Sequence, residues 1–331
     1  MPAAISWYPS GLIPGLTLMT RCFILKPHVS KTKPECNHPP PGALNVTLTL
    51  SLMASWVVLL WWADQQAHWA AKAGIGILFA FLGLTVYALL HEAWHRHLHS
   101  CQVVNDFFGT MLAAAYGGPF TFLRHTHQGH HQRNRSVEES FDIYYSEEER
   151  RSRTVFFYFT YLGGFWLAVP LTSLVFVFAP SLLHGWLARR NPSVGAMLLG
   201  IPQRQFRRIR VEALGVFALH GVLIWALGLH WSTWVLLYGM FAVCWSSQNY
   251  LGHAGSPLDV QEGAHNLRAN PVFEKWLLHF NWHLAHHQHP DVPWLYLPQF
   301  DDSRRERPGY LRSFVKFWAG PRPAPKGKEA S

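Results

Sequence analysis

Apolar residues fall into long runs along this chain while Arg and Lys gather in a few separate stretches, the distribution that lipid-spanning segments and their flanks require. Residues 43–62, ALNVTLTLSLMASWVVLLWW, are apolar for about 20 residues, enough to cross a ~30 Å hydrocarbon core at 1.5 Å per residue, and predict a first span. A linker with Asp64, Gln65 and Gln66 leads to residues 73–90, a second apolar run that crosses back and leaves His91 on the starting side. Residues 103–122 contain Asn105, Asp106, Gly117, Gly118 and Pro119, which are costly in lipid, so an interfacial or re-entrant segment is expected there. Residues 132–153, with Glu138, Glu139, Glu147, Glu148, Glu149 and several arginines, are expected in water. The run 154–183 is interrupted by Gly163, Gly164 and Pro170 and fits either one tilted span or a shallow hairpin.

The loop 188–210 favours the hairpin. Its Arg189, Arg190, Arg204, Arg207, Arg208 and Arg210 mark it as cytoplasmic by the positive-inside rule, the side already given to His91. Residues 211–229 and 233–248 then predict two tightly connected spans about a turn at His230, Trp231 and Ser232. The expected fold is all-α, a polytopic membrane bundle of about four spans plus re-entrant or interfacial helices, with everything from Asn249 onward cytoplasmic. Residues 1–42, rich in Pro and basic with no apolar period, predict a mobile tail; residues 43–300 form the membrane domain. Residues 301–331 make a basic cytoplasmic tail, within which 310–318 suggests an interfacial amphipathic helix.

Composition adds less than distribution. A hydrophobic content of 49% does not by itself decide for a membrane, but 14% charged residues are too few for a typical water-soluble surface. The formal net charge of +9 points to anionic lipid headgroups and not to nucleic acid, because the basic residues flank apolar runs and form no continuous helical stripe. Cys22, Cys36, Cys101 and Cys244 show no C-x-x-C spacing, so free thiols in a reducing compartment are expected. Residues 1–25 lack a basic start before their apolar positions and are broken by Pro9 and Pro14; they do not read as a signal peptide.

The chemistry lies in the histidines. Most of the 21 fall in short clusters, each on the side assigned to the cytoplasm. HEAWHRHLH places His91 and His95 four apart, just past the second apolar run; HQGHH gives His127, His130 and His131, and HLAHH repeats that spacing with His283, His286 and His287. On a helix, positions i, i+3 and i+4 share a side, so each H-x-x-H-H run is expected to present three imidazoles to a common centre. Asn249 and His253 add a further i, i+4 pair. So many neutral imidazoles exceed the needs of one ion and imply two. Zinc has no redox chemistry, whereas iron activates dioxygen. Glu92 and Asp291 are candidates for holding ligand N–H groups. His28, His38, His68, His184, His220 and His230 read as surface or interface residues, and His97, His99, His125, His265, His279 and His289 lie near the centre but outside the shared spacing. Trp94 and Trp282 are candidates for lining an apolar channel.

HEAWH, HQGHH and HLAHH, with NYLGH before the last, resemble the histidine boxes of membrane fatty acid desaturases, over roughly residues 43–298. The resemblance implies a mushroom-like helical membrane fold and a non-haem centre of two iron ions. Its ligands would be His91, His95, His127, His130, His131, His253, His283, His286 and His287, with Asn249 acting through water. It also implies a long-chain acyl lipid or other apolar chain as substrate and a separate ferredoxin or cytochrome as electron donor. The last box opens with His283 in place of glutamine, no H-P-G-G stretch of a fused cytochrome is present, and Glu92 stands where many relatives have aspartate. Carotenoid ketolases and hydroxylases and alkyl-chain hydroxylases share similar boxes. Two other readings belong to different classes. His91-Glu92-Ala93-Trp94-His95 also fits the H-E-x-x-H zinc protease pattern, which leaves both H-x-x-H-H runs unexplained, and a non-catalytic metal-binding or transport protein would place its ligands nearer the bilayer midplane.

Overall fold

The first apolar run forms α1 (Gly42–Asp64) and the second forms α2 (Trp69–Trp94) in a computed structural model that describes residues 38–183, 188–190, 192–198, 200–302 and 304–325. Most of the expected mobile tail, together with His28 and His184, lies outside these residues. α2 is the central helix: nearly every residue from Phe79 to Trp94 is buried, whereas α1 exposes much of its surface, as a lipid-facing outer helix does. The expected interfacial segment is two helices, α3 (Gln102–Tyr116) and α4 (Phe120–Arg133), separated where Gly117 takes φ 105°, a conformation open mainly to glycine. A charged stretch then carries β1 (Ile143–Tyr144) and leads into α5 (Glu147–Phe159).

From α5 the chain passes through a π-helical turn, Thr160–Gly164, into α6 (Phe165–Phe178), and Gly163 at φ 122° breaks the helical path between them. Three short pieces follow, α7 (Pro180–Leu182), α8 (Ala188–Arg190) and α9 (Pro192–Leu198). The next two helices are α10 (Gln203–Ala226) and α11 (Trp231–Asn249). Beyond them lie α12 (Pro271–Trp276), α13 (His283–Gln288), a 3₁₀ turn at Trp294–Phe300, α14 (Tyr310–Phe317) and β2 (Arg322–Pro323), which pairs in parallel with β1.

Among the described residues four helical stretches are long and apolar enough to cross a membrane: Gly42–Asp64, Trp69–Trp94, Glu147–Phe178 and Gln203–Ala226. The number matches the sequence expectation but the membership differs. α11, expected as a span, carries too many Trp, Ser, Gln and Asn residues to meet the same composition, yet it runs from the Asp64–His230 end of the bundle to the end that bears His253, and buries Leu237, Tyr238, Phe241 and Trp245. Glu147–Phe178 qualifies as one stretch, yet it bends at Gly163: Phe157 and Tyr161 meet Phe317 before the bend, and Phe176 meets Phe122 after it.

Polar contacts fix the two ends of the bundle. Asn45, at the start of α1, donates to the carbonyls of His97 and Leu98 just beyond α2. At the other end Asp64 accepts from the backbone N–H of His230, which begins α11. The first of these ends carries every histidine box. Residues 304–325 do not stand apart as a tail: Arg307 pairs with Glu274 at 2.8 Å, Arg305 pairs with Glu262, and Phe317 is buried against Phe157 and Tyr161. Leu311 and Val315 remain exposed on α14, as an interfacial helix requires.

Candidate metal centre

His91 sits on the last turn of α2 and His95 is its C-cap; His127, His130 and His131 lie on α4, and His283, His286 and His287 on α13. His253 follows α11 in a series of turns. These nine side chains form two adjoining groups. His91, His95, His127, His131 and His286 make one, and His130, His253, His283 and His287 the other; within each group one ring nitrogen per residue lies within 4.8 Å of all the others. The rings of His131 and His287, from different groups, have centroids 4.4 Å apart.

Both H-x-x-H-H runs are therefore divided between the groups, against the expectation that each faces one centre. Positions i+3 and i+4 stand about 100° apart around a helix of 3.6 residues per turn, so His130 and His131 diverge, as do His286 and His287. α4 sends His127 and His131 one way and His130 the other; α13 sends His283 and His287 one way and His286 the other.

The donor atoms converge through their Nε2 atoms. His95 and His127 approach to 2.7 Å, His127 and His131 to 3.1 Å, and His131 and His286 to 3.0 Å. In the second group His130 and His253 stand 3.2 Å apart, and His253 and His283 2.8 Å. Ligand atoms ~2.1 Å from a shared ion and at right angles to one another are about 3 Å apart, the spacing found here. The rings are held in the neutral form, in which each keeps a lone pair able to bind a metal ion. Burial, reinforced by neighbouring imidazoles, drives His95 and His283 down to about 3, and depresses His127, His131, His253, His286 and His287 as well. Among the described residues His91 Nε2, His283 Nδ1 and both ring nitrogens of His287 have no hydrogen-bond partner. Neutral, buried, convergent imidazoles with unpartnered nitrogens fit first-row transition-metal ions, and two groups fit two of them.

Several side chains do not occupy their expected places. Glu92 stands 4.0 Å from His91 Nδ1, beyond hydrogen-bond reach, and instead accepts from the backbone N–H of Trp294. The carboxylate that does meet a group member is Glu139, whose Oε2 lies 2.5 Å from His130 Nδ1. Sequence reasoning placed Glu139 in a water-exposed stretch, but Arg135, Glu139 and Asp142 are buried because each is paired: Arg135 with Asp142 and with the Tyr250 hydroxyl, Glu139 with Arg133 and His130. His253 is held by the Gly263 carbonyl, 2.8 Å from its Nδ1. Asp291 bears on His97, which belongs to neither group. His220 is a buried residue between helices, its Nε2 3.0 Å from the Ala114 carbonyl and its Nδ1 accepting from Trp234.

Beside the second group lies a largely apolar cavity walled by Leu84, Tyr87, Trp245, Leu267, Leu277 and Phe280, and reached by His283 and Asn249. Trp94 and Trp282, named from sequence as channel residues, are not part of its wall: Trp94 packs on His127 and Trp282 stacks under Arg307. Tyr310, at the start of α14, closes one side by donating to Gln248 Oε1 at 2.8 Å.

A search of curated proteins finds no match to this chain. A family model described as fatty acid desaturase matches residues 67–318, a stretch that takes in all nine histidines, the cavity and α14. With that match over most of its length and four apolar helices around two histidine groups, the chain belongs to the fatty acid desaturase family of integral-membrane oxidoreductases.

Proposed function

We propose that the chain is a dioxygen-dependent fatty acyl desaturase with its active site at the cytoplasmic ends of its helices. The observation that carries this reading is the juxtaposition of the two histidine groups with an apolar cavity that shares His283 with one of them. The nine histidines would hold two iron ions, and Asn249, at the cavity wall, would act through a water. Bound iron supplies the reductive activation of dioxygen, with electrons delivered by a ferredoxin- or cytochrome-type partner.

The residues of the chain do the rest. The cavity holds about 30 Å³, so a long acyl chain, as an acyl lipid or acyl thioester, would have to part its walls, and Leu84, Tyr87 and Phe280 would then give it an apolar surface in exchange for lipid. Burial keeps the imidazoles unprotonated and free to bind metal. The net reaction takes two hydrogens from neighbouring methylenes, and with dioxygen, two electrons and two protons gives one double bond and two waters.

The experiment is lipid mass spectrometry of a host expressing the chain. A loss of two hydrogens from acyl chains is expected, and His130→Ala and His286→Ala should each abolish it while leaving the protein in the membrane. His230→Ala is the matched control, an exposed residue paired with Asp64 at the far end of the bundle. Added oxygen on acyl chains would make the enzyme a hydroxylase, and oxygenated carotenoid with unchanged acyl chains would make it a ketolase or hydroxylase of that substrate. Full activity in both box variants would remove the iron site from the reaction.

A further inference from the structure

The two histidine groups differ in what stands behind their rings. In the four-histidine group, His130 turns its Nδ1 toward the Glu139 carboxylate at 2.5 Å and its Nε2 toward His253 Nε2 at 3.2 Å. A carboxylate accepts and cannot donate, so Nδ1 carries the proton and Nε2 is left as the lone pair that faces the group. In the five-histidine group, the carboxylate beside His91 is Glu92, which lies out of reach at 4.0 Å and is engaged by Trp294.

Glu139 is also held firmly. Its other oxygen pairs with Arg133 at 3.2 Å, and its backbone carbonyl accepts from the Tyr250 hydroxyl at 2.8 Å. Tyr250 in turn receives a hydrogen bond from the buried Arg135 guanidinium, which is paired with Asp142. The loop after α4 is thus locked to the end of α11, and the carboxylate cannot swing away from His130 without breaking this network.

We infer that Glu139 is a positioning residue for the four-histidine group and that it makes the two metal sites unequal. It fixes the ring orientation and tautomer of His130 and, by placing negative charge behind the imidazole, makes that ring the stronger donor. The four-histidine site gains affinity from a carboxylate-backed ligand, while the five-histidine site relies on ligand number. This inference rests on the proposal that the groups hold iron, and the wild-type arm of its test examines that proposal separately.

Wild-type and Glu139→Gln proteins are purified, loaded anaerobically with ⁵⁷Fe, dialysed against graded chelator, and read by iron content per chain and by Mössbauer spectroscopy. Glutamine keeps the shape and an accepting oxygen but loses the charge. Loss of such a partner weakens metal binding by roughly 10–100-fold. Wild type should hold two irons. The variant should lose one iron at chelator concentrations that leave the other in place, with one quadrupole doublet altered and the second unchanged. Loss of the charge that pairs with Arg133 should lower the unfolding midpoint of the metal-free variant, and a merely structural role would weaken both sites together, so selective loss of one iron with one altered doublet is the result that such a role does not predict. Retention of both irons at wild-type affinity, or loss of both together, overturns the inference. If Glu139→Gln does not fold, Glu139→Asp, which keeps the charge but shortens the reach to His130, is read by the same criterion. A wild-type chain that takes up no iron defeats the functional proposal itself.

Discussion

Acid should destabilise the metal-free chain steeply, and iron should postpone that loss. His95 and His283 are buried and have their pKa values driven to about 3, whereas in the unfolded chain each titrates near 6.5. Between these values the unfolded state binds more protons than the folded one, so stability falls as pH falls; the contribution is fully present above about 6.5 and is lost on the way down to about 3. Each ring costs about 1.4 kcal/mol per pH unit in that window. By pH 4.5 the pair has withdrawn about 5 kcal/mol, comparable with the whole stability of many domains, and His127, His253, His286 and His287 act in the same direction. Iron competes with protons for the same lone pairs, so the loaded protein should hold its stability to lower pH and then release metal over a narrow interval. The measurements are the unfolding midpoint of metal-free and iron-loaded protein in micelles from pH 7.5 to 4.5, and the iron retained after gel filtration at each pH. His283→Gln should flatten the slope for the metal-free protein by removing one titrating ring. A metal-free midpoint that does not move across this range would show that the imidazoles are not held neutral by the fold, and the reasoning would fail.

Two further outcomes follow from the architecture. Asp142→Asn leaves the buried Arg135 without its charged partner, at a backbone position already strained by φ 60°, and should cost about 3–5 kcal/mol by thermal unfolding in micelles; a loss below about 1 kcal/mol would contradict the pairing. For orientation, a cysteine introduced at Arg190 should be labelled only after cells are permeabilised and one at His68 should be labelled from outside, with the native cysteines replaced; labelling of position 190 in intact cells would invert or break the proposed topology.

How far the sequence could be read depended on whether a pattern was local. α1 and α2 were legible because an uninterrupted apolar run has few alternatives to a membrane helix, and the nine histidines were legible because their spacing repeats. Their division between two groups was in principle available from the same spacing. A helix that presents i, i+3 and i+4 on one side still separates i+3 from i+4 by about 100°, enough to send His130 and His131 to different groups. α11 was read as a span because it is apolar in stretches; its buried face tolerates Ser246 and Ser247 while Val235 and Val243 stay exposed, so its composition is more mixed than that of α1.

Glu139 was hidden for a different reason. A glutamate within a run of charges reads as a solvated surface, and its burial depends on a turn that brings it back onto Arg133 and His130 and on one distant partner, Tyr250 from the end of α11. The signal that could have found it is chemical. A metal-bound imidazole needs an acceptor for its second nitrogen, and a glutamate nine residues beyond His130, across a turn, is a nearby anion able to return to it. Glu92, adjacent to His91, was the more obvious choice and fails because neighbours on a helix point about 100° apart, which leaves its carboxylate 4.0 Å from the ring and free to bind Trp294. A turn that folds back on its helix can thus supply what an adjacent residue cannot, and the charged stretch after the second box belongs to the histidine groups as much as to the surface.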